Sequence, residues 1–196
     1  MRTLKHKQDS EKLARAQKTL ATLKKASKGK LTLVYLDECG FSPTQPVSYS
    51  WTLTGHRKRV HYENPEGRRV NVLAAMTYAP SPSLSWISLP RTLKADELIA
   101  FLSSLALADS LTMVALDNAS MHRSKLVKGA RAELLKHGIV LYFLPPYSPE
   151  SNLIEPVFGV IKHYDMPERS YTSIDDLTEA LDTAFQRANQ RASLKT

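Results

Sequence analysis

The sequence has a single cysteine, Cys39, in 196 residues. One thiol can form neither an internal disulfide nor a cysteine-rich zinc site. The six histidines show no HExxH or other zinc spacing. No apolar run approaches the roughly 18 residues that a membrane helix needs. The N-terminus is basic but lacks the apolar segment of a secretory signal. No internal repeat is present. These absences point to a cytoplasmic chain with no membrane partner. They do not point to disorder, because hydrophobic residues make up 42% and charged residues 23%, ordinary globular values.

What is present is charge of one sign at one end. The formal net charge is +8. Residues 1–30 hold ten Lys/Arg against Asp9 and Glu11, while residues 31–196 hold 17 residues of each sign. The excess therefore lies in the first thirty residues, and the rest is a neutral body. That body is long enough for one domain with a real core, since domains run to about 100–150 residues. A basic excess suits a polyanionic partner, and it equally suits a solvated lysine-rich helix.

Residues 9–28 read as a helix. Asp9 or Ser10 can cap it, and Leu13, Ala16, Leu20 and Leu23 recur at helical spacing. We take residues 1–30 as a basic linker helix docked by one thin apolar stripe, and residues 31–196 as the main domain. Leu31–Asp37 reads as a strand that Gly40 and Pro43 stop. A turn-rich insertion fills 38–69. Val70–Tyr78 and Leu84–Leu89 read as a hairpin. A helix over Lys94–Ala108, a strand over Leu111–Asp117, a helix over Ser124–His137 and a strand over Ile139–Leu144 follow. After the stiff loop Pro145–Asn152 come helices over Asn152–Tyr164 and Ser173–Asn189. Antiparallel strands followed by strand–helix–strand units predict a mixed α/β sheet covered by helices.

Asp37 and Asp117 each follow a strongly apolar strand and precede a polar turn, Asp37-Glu38-Cys39-Gly40 and Asp117-Asn118-Ala119-Ser120. Ligand sites of open α/β sheets form at the carboxyl ends of strands. If the two strands are parallel neighbours, both carboxylates meet at one edge. Glu155, in the first turn of the helix after the Pro-rich loop, can reach the same edge. Two carboxylates about 5 Å apart repel by roughly 3 kcal/mol at an effective dielectric of about 20. Mg²⁺ or Mn²⁺ removes that penalty. Two such ions roughly 3.5–4 Å apart suit an in-line phosphoryl displacement. Other readings stay open. An Asp that ends a strand is often a turn former. Glu155 also fits the third position of a capping box opened by Asn152. Glu38 and Glu150 are rival third carboxylates, and spacing does not choose among them.

The stretches LVYLDECGF, TMVALDNASMH and LYFLPPYSPESNLIEPVFGVIK resemble, in order, the three blocks of the bacterial insertion-sequence branch of the mariner-type DDE transposases. The resemblance covers about residues 31–190. It implies a ribonuclease-H-like fold: a mixed five-stranded sheet flanked by helices, with an insertion after the first strand. It implies a DNA transposase catalytic domain that cleaves transposon ends and transfers strands into target DNA with two divalent ions, Mg²⁺ or Mn²⁺. On this resemblance the catalytic and metal-holding residues are Asp37, Asp117 and Glu155. The family block more often reads Asn-Pro-Ile-Glu, where this chain has Asn152-Leu153-Ile154-Glu155. Another ribonuclease-H-like nuclease and an inactive DNA-binding transposase remnant are the alternatives.

Asn118 and His122 follow Asp117 as D-N-x-x-x-H and belong near the site, to orient a phosphate or a metal-bound water, or else as a turn Asn and a capping His. Arg57, Lys58, Arg59, Arg68 and Arg69, with Trp51 and Tyr62 nearby, form the one basic cluster of the neutral body. They suit phosphate contacts and base stacking, or an exposed hairpin with ordinary surface cations. Cys39 reads as a small filler and Tyr147 as a loop-packing residue. The resemblance also implies DNA as partner (inverted repeats and target), a homodimer on DNA, and a bacterial, nucleoid-associated setting. Members of the family carry an N-terminal helix-turn-helix module, for which thirty residues are too few. A separate helix-turn-helix subunit or a frameshift fusion would supply it, unless the chain is a truncated remnant or a stand-alone relative.

Overall fold

The computed structural model describes residues 5–27, 31–44, 51–57, 59, 61, 63–64, 66, 68–79, 81–107 and 110–193. Lys58 and Tyr62 of the basic cluster lie outside the described residues. The elements are α1 (Ser10–Ala26), β1 (Leu31–Phe41), β2 (Val70–Ala79), β3 (Ser83–Leu89), α2 (Ala95–Ser104), β4 (Leu111–Leu116), α3 (Lys125–Lys136), β5 (Ile139–Phe143), α4 (Ile154–Val160) and α5 (Ile174–Ser193). The sheet order is β3-β2-β1-β4-β5. β1 pairs antiparallel with β2, and β2 with β3, whereas β4 runs parallel to both β1 and β5. This is the expected ribonuclease-H-like mixed sheet, with the insertion after β1.

Each face of the sheet buries its own apolar layer, because alternate residues of a strand point to opposite sides. Leu33, Tyr35, Cys39 and Phe41 of β1 pack with Leu20, Ile154, Phe158, Leu181 and Phe185, under α1, α4 and α5. Val34 and Leu36 face the other way, against Leu98 and Leu102 of α2 and Val127 and Leu134 of α3. α1 starts as expected: Asp9 caps it by accepting from the Lys12 N–H at 3.1 Å. It docks through buried Ala16 and Leu20, a narrow stripe.

One expectation fails. β1 does not stop at Gly40. It continues to Phe41, because β2 keeps pairing from Asp37↔Ala74 to Phe41↔Val70. The Arg69 guanidinium, the movable end of an exposed side chain, lies in the space that a Cβ at Gly40 would take. The helix expected over 152–164 is present as an unbroken helical run from Ile154 to Asp165, α-helical through Val160 and π-type over Ile161–Asp165, with a 3-10 turn over Pro149–Ser151 ahead of it. Among the described residues, no helix is long and apolar enough to cross a membrane.

Candidate active site

The parallel pairing of β1 with β4 runs from Leu31↔Leu111 to Leu36↔Leu116 and ends there. The next residue of each strand is a carboxylate, Asp37 and Asp117. Both follow the pleat onto the face covered by α4, since Tyr35 and Ala115, two residues back, lie in that layer. Asp37 is thus not the end of its strand. It is the point where β1 loses its parallel neighbour and keeps its antiparallel one.

The chain leaves β5 at Leu144, whose N–H still donates to the Leu116 carbonyl at 2.9 Å. The loop from Pro145 then turns back over this edge and delivers Asn152 and α4. Glu155 stands in the first turn of α4. It does not complete a capping box: Leu153 is the N-cap and makes no side-chain bond. Asn152 is instead buried, and its Nδ2 donates to the Leu36 carbonyl at 3.1 Å and to Asp37 Oδ2 at 3.3 Å. Asp117, Asn118, Arg123, Tyr147, Asn152 and Glu155 line a cavity of about 520 Å³.

The three carboxyls differ in charge state. Burial, together with the nearby Asp117 and Glu155, pushes Asp37 up to about 7, although its Oδ1 accepts the Glu38 N–H at 2.7 Å. Asp117 is held below the ordinary value by its bond from His122 Nδ1 at 2.7 Å, helped by the Ala119 N–H at 2.9 Å. Glu155 is raised by partial burial and by Asp117, with Lys162 opposing. Burial disfavours the charged form of His122, but its bonds and attraction to Asp117 outweigh that and raise it. The Nδ1–H donates to Asp117, which leaves Nε2 buried without a hydrogen-bond partner and 3.8 Å from Glu38 Oε1. Near neutral pH the edge therefore holds an ionised Asp117 beside an Asp37 poised at its own titration. Among the described residues, no three His, Cys, Asp or Glu side chains are grouped closely enough to enclose a metal ion.

The other sequence candidates separate. Asn118, at the cavity wall, donates its amide to the Leu144 carbonyl and ties the ends of β4 and β5 together. Arg68 is occupied, donating to Glu63 Oε2 at 3.1 Å and to the Asn64 carbonyl at 2.7 Å. Trp51 is fully exposed, and Arg57, Arg59 and Arg69 are exposed. Tyr147 is not packed inside. It is half exposed, has a φ of 59° and lies under the Lys7 ammonium, 5.7 Å from the ring centroid. Cys39 is buried, as a filler should be. Glu150 is engaged by Gln8, and Glu38 faces the α2–α3 side, where it meets His122.

Sequence reasoning missed three neighbours of this edge and weighed a fourth, Glu38, only as a rival third carboxylate. Asn152 was legible only as a cap. Arg123 directly follows His122. Glu38 reaches the network through His122. Lys162 stands near Cys39 and Glu155, with its ammonium 5.2 Å from the Phe41 ring centroid. Its signal was available, because it follows Glu155 by seven positions, two helical turns on one face.

The fold is similar to that of the Mos1 transposase paired-end complex with the left transposon end, with a TM-score of 0.61 and 16% identity over 100% of this chain and 63% of that one. The mariner Mos1 paired-end complex with Mg gives a TM-score of 0.60 and 17% identity over 100% and 62%. The Mos1 strand transfer complex gives 0.56 and 17% over 100% and 62%. The chain thus spans somewhat under two thirds of the length of these proteins, and identities this low speak for the fold alone. No curated protein matches the sequence. The sequence itself matches a family across residues 32–178, a span that takes in Asp37, Asp117 and Glu155, and on that match the chain belongs to the DDE superfamily endonucleases.

Proposed function

We propose that this chain is a transposase catalytic domain that cleaves DNA at the ends of a mobile element and transfers the strand into target DNA. The reading rests on one observation. Asp37 and Asp117 directly follow the last paired residues of β1 and β4, Glu155 lines the same cavity as Asp117, and burial first, then the charges of Asp117 and Glu155, raises Asp37 to about 7. A bound cation would favour the charged form of each of these carboxyls and so oppose that rise.

Asp37, Asp117 and Glu155 fit a hard divalent cation by charge and by donor type, and they are the residues that would hold it. Bound Mg²⁺ or Mn²⁺, as two ions, would supply an activated water and stabilise the leaving oxygen of a phosphodiester. The Mg-containing Mos1 complex supports that choice. The chain's own groups do the rest. His122 and the Ala119 N–H keep Asp117 ionised and fixed in direction. Asn152 fixes Asp37. Arg123 at the cavity and Lys162 beyond Glu155 supply positive charge for phosphates. Exposed Arg57, Arg59 and Arg69, with Trp51, would add contacts to DNA, as would Lys58 by its charge, and Arg68 would serve by shaping the insertion. A homodimer on DNA, with end recognition by a helix-turn-helix module on a fused or separate chain, completes the proposal.

The test is Mn²⁺-dependent nicking and joining of end-containing DNA by Asp37→Asn, Asp117→Asn and Glu155→Gln. Each should lose at least about 100-fold in rate. Full activity in any one variant removes that residue from the triad. Cutting without joining would mark a nuclease of the same fold. No divalent-metal binding by calorimetry, with DNA binding retained, would mark a non-catalytic DNA-binding protein.

A further inference from the structure

Gln8 lies just ahead of the α1 cap, 139 positions from the loop it touches. A side-chain amide has two N–H donors, and both are used on that loop. One bond goes to the Tyr147 carbonyl at 2.6 Å and one to Glu150 Oε1 at 2.8 Å. The neighbouring Lys7 ammonium covers the Tyr147 ring. Tyr147 has a left-handed backbone, φ 59°, which a residue with a Cβ keeps only when its surroundings enforce it. Gln8 and Lys7 of the N-terminal segment supply contacts to Tyr147 from outside the loop.

The far end of the same loop is Asn152, which holds Asp37. Between the two ends, Ser151 N–H donates to Ser148 O at 3.0 Å and Asn152 N–H to Pro149 O at 2.9 Å. Pro145, Pro146 and Pro149 stiffen the path further, since proline fixes φ. A stiff loop carries a displacement at Tyr147 through to Asn152. We propose that Gln8 is a positioning residue of the active site: by fixing Tyr147 and Glu150 it holds the loop that keeps Asn152 on Asp37. The role rests on reading Asp37 as a catalytic carboxylate. It also makes the basic N-terminal segment part of the site's support.

The full-length protein tests this with three variants. Gln8→Ala removes both donors, Gln8→Glu removes them and sets a carboxylate against Glu150, and Gln8→Lys restores a donor for both acceptors. Hydrogen exchange is read at the Ser151 and Asn152 amides, with β1 and β2 amides as internal reference. Exchange there should quicken roughly fivefold or more in Gln8→Ala and Gln8→Glu, with the sheet unchanged, and return toward wild type in Gln8→Lys. Wild-type exchange in Gln8→Ala overturns the contact. In DNA nicking, Gln8→Glu should lower kcat about tenfold at constant KM, with rescue by Gln8→Lys. Faster exchange with undiminished kcat overturns the positioning role. If the wild-type chain nicks no DNA, the transposase reading fails, and the exchange experiment still decides whether the strap exists.

Discussion

Asp37 titrates near neutrality in the folded protein and near 3.8 when exposed. Between those values the folded chain binds more protons than the unfolded chain, so stability falls as pH rises from about 4 to about 7 and levels off above that. The ceiling on this loss is about 4 kcal/mol, and the bonds Asp37 accepts from Glu38 and Asn152 already lie within it. Asp37→Asn removes the titration. Without metal, the variant should therefore be more stable than wild type at pH 8, with a gain that shrinks toward pH 5. Urea unfolding at the two pH values measures this, and an equal gain at both would refute it. Millimolar Mg²⁺ should raise the wild-type Tm at pH 8 through binding to the folded state and leave Asp37→Asn unmoved. The positions of Asp37, Asp117 and Glu155 were legible in the sequence, because each follows a recognisable strand or opens a recognisable helix. Their charge states were not. Those depend on His122 folding back onto Asp117 and on Asn152 crossing 115 positions to Asp37, and no local pattern encodes either contact.

α4 has seven residues, with Gly159 inside it and Pro156 in its first turn. Helices shorter than about 12–15 residues are marginal on their own. Its place, and so that of Glu155, is set by Ile154, Phe158 and Ile161 packing into the layer beneath α5. Phe185 of α5 is the hub: fully buried, with ring centroids 5.5 Å from Trp86, 6.2 Å from Phe41 and 6.3 Å from Phe158. Phe185→Ala should cost about 3–5 kcal/mol, a fall of roughly 6–20 °C in Tm for a chain of this size. It should also reduce nicking below what the remaining folded fraction explains, because it loosens α4. Calorimetry and a rate per folded molecule separate the two effects. The same dependence on packing explains which elements the sequence revealed. Apolar periodicity marked β2, β4, α2, α3 and α5 to within a few residues. It failed where partners decide: β1 runs through Gly40 because β2 offers a continuous ladder, and the helix expected after Asn152 is unbroken but changes from α to π bonding at Ile161, which periodicity does not announce.

The neutral body and the basic helix meet along one stripe, so the charge of α1 and its packing can be separated. Removing residues 1–30 would not separate them. It would uncover the layer that Leu20 fills and break the Gln8 bonds to the site loop. Neutralising exposed lysines would. Lys12 and Arg15 have carboxylate neighbours in Asp9 and Glu11, at 3.0 and 3.3 Å, and Lys24 lies over the Tyr78 ring. Lys18 and Lys25 are exposed on the outer faces and are the better probes. If α1 runs along DNA, each lysine on a phosphate adds about 0.9 to the slope of log affinity against log salt. Lys18→Gln with Lys25→Gln should then flatten that slope by up to about 2 and weaken binding most at low salt. Stability should stay within about 0.5 kcal/mol of wild type, as for surface changes. Mn²⁺ affinity should not change, since the candidate site draws its donors from the neutral body. A slope that does not move, with affinity intact, would mean that the +8 of the sequence only solvates a helix whose contribution to function is the mechanical one at Gln8.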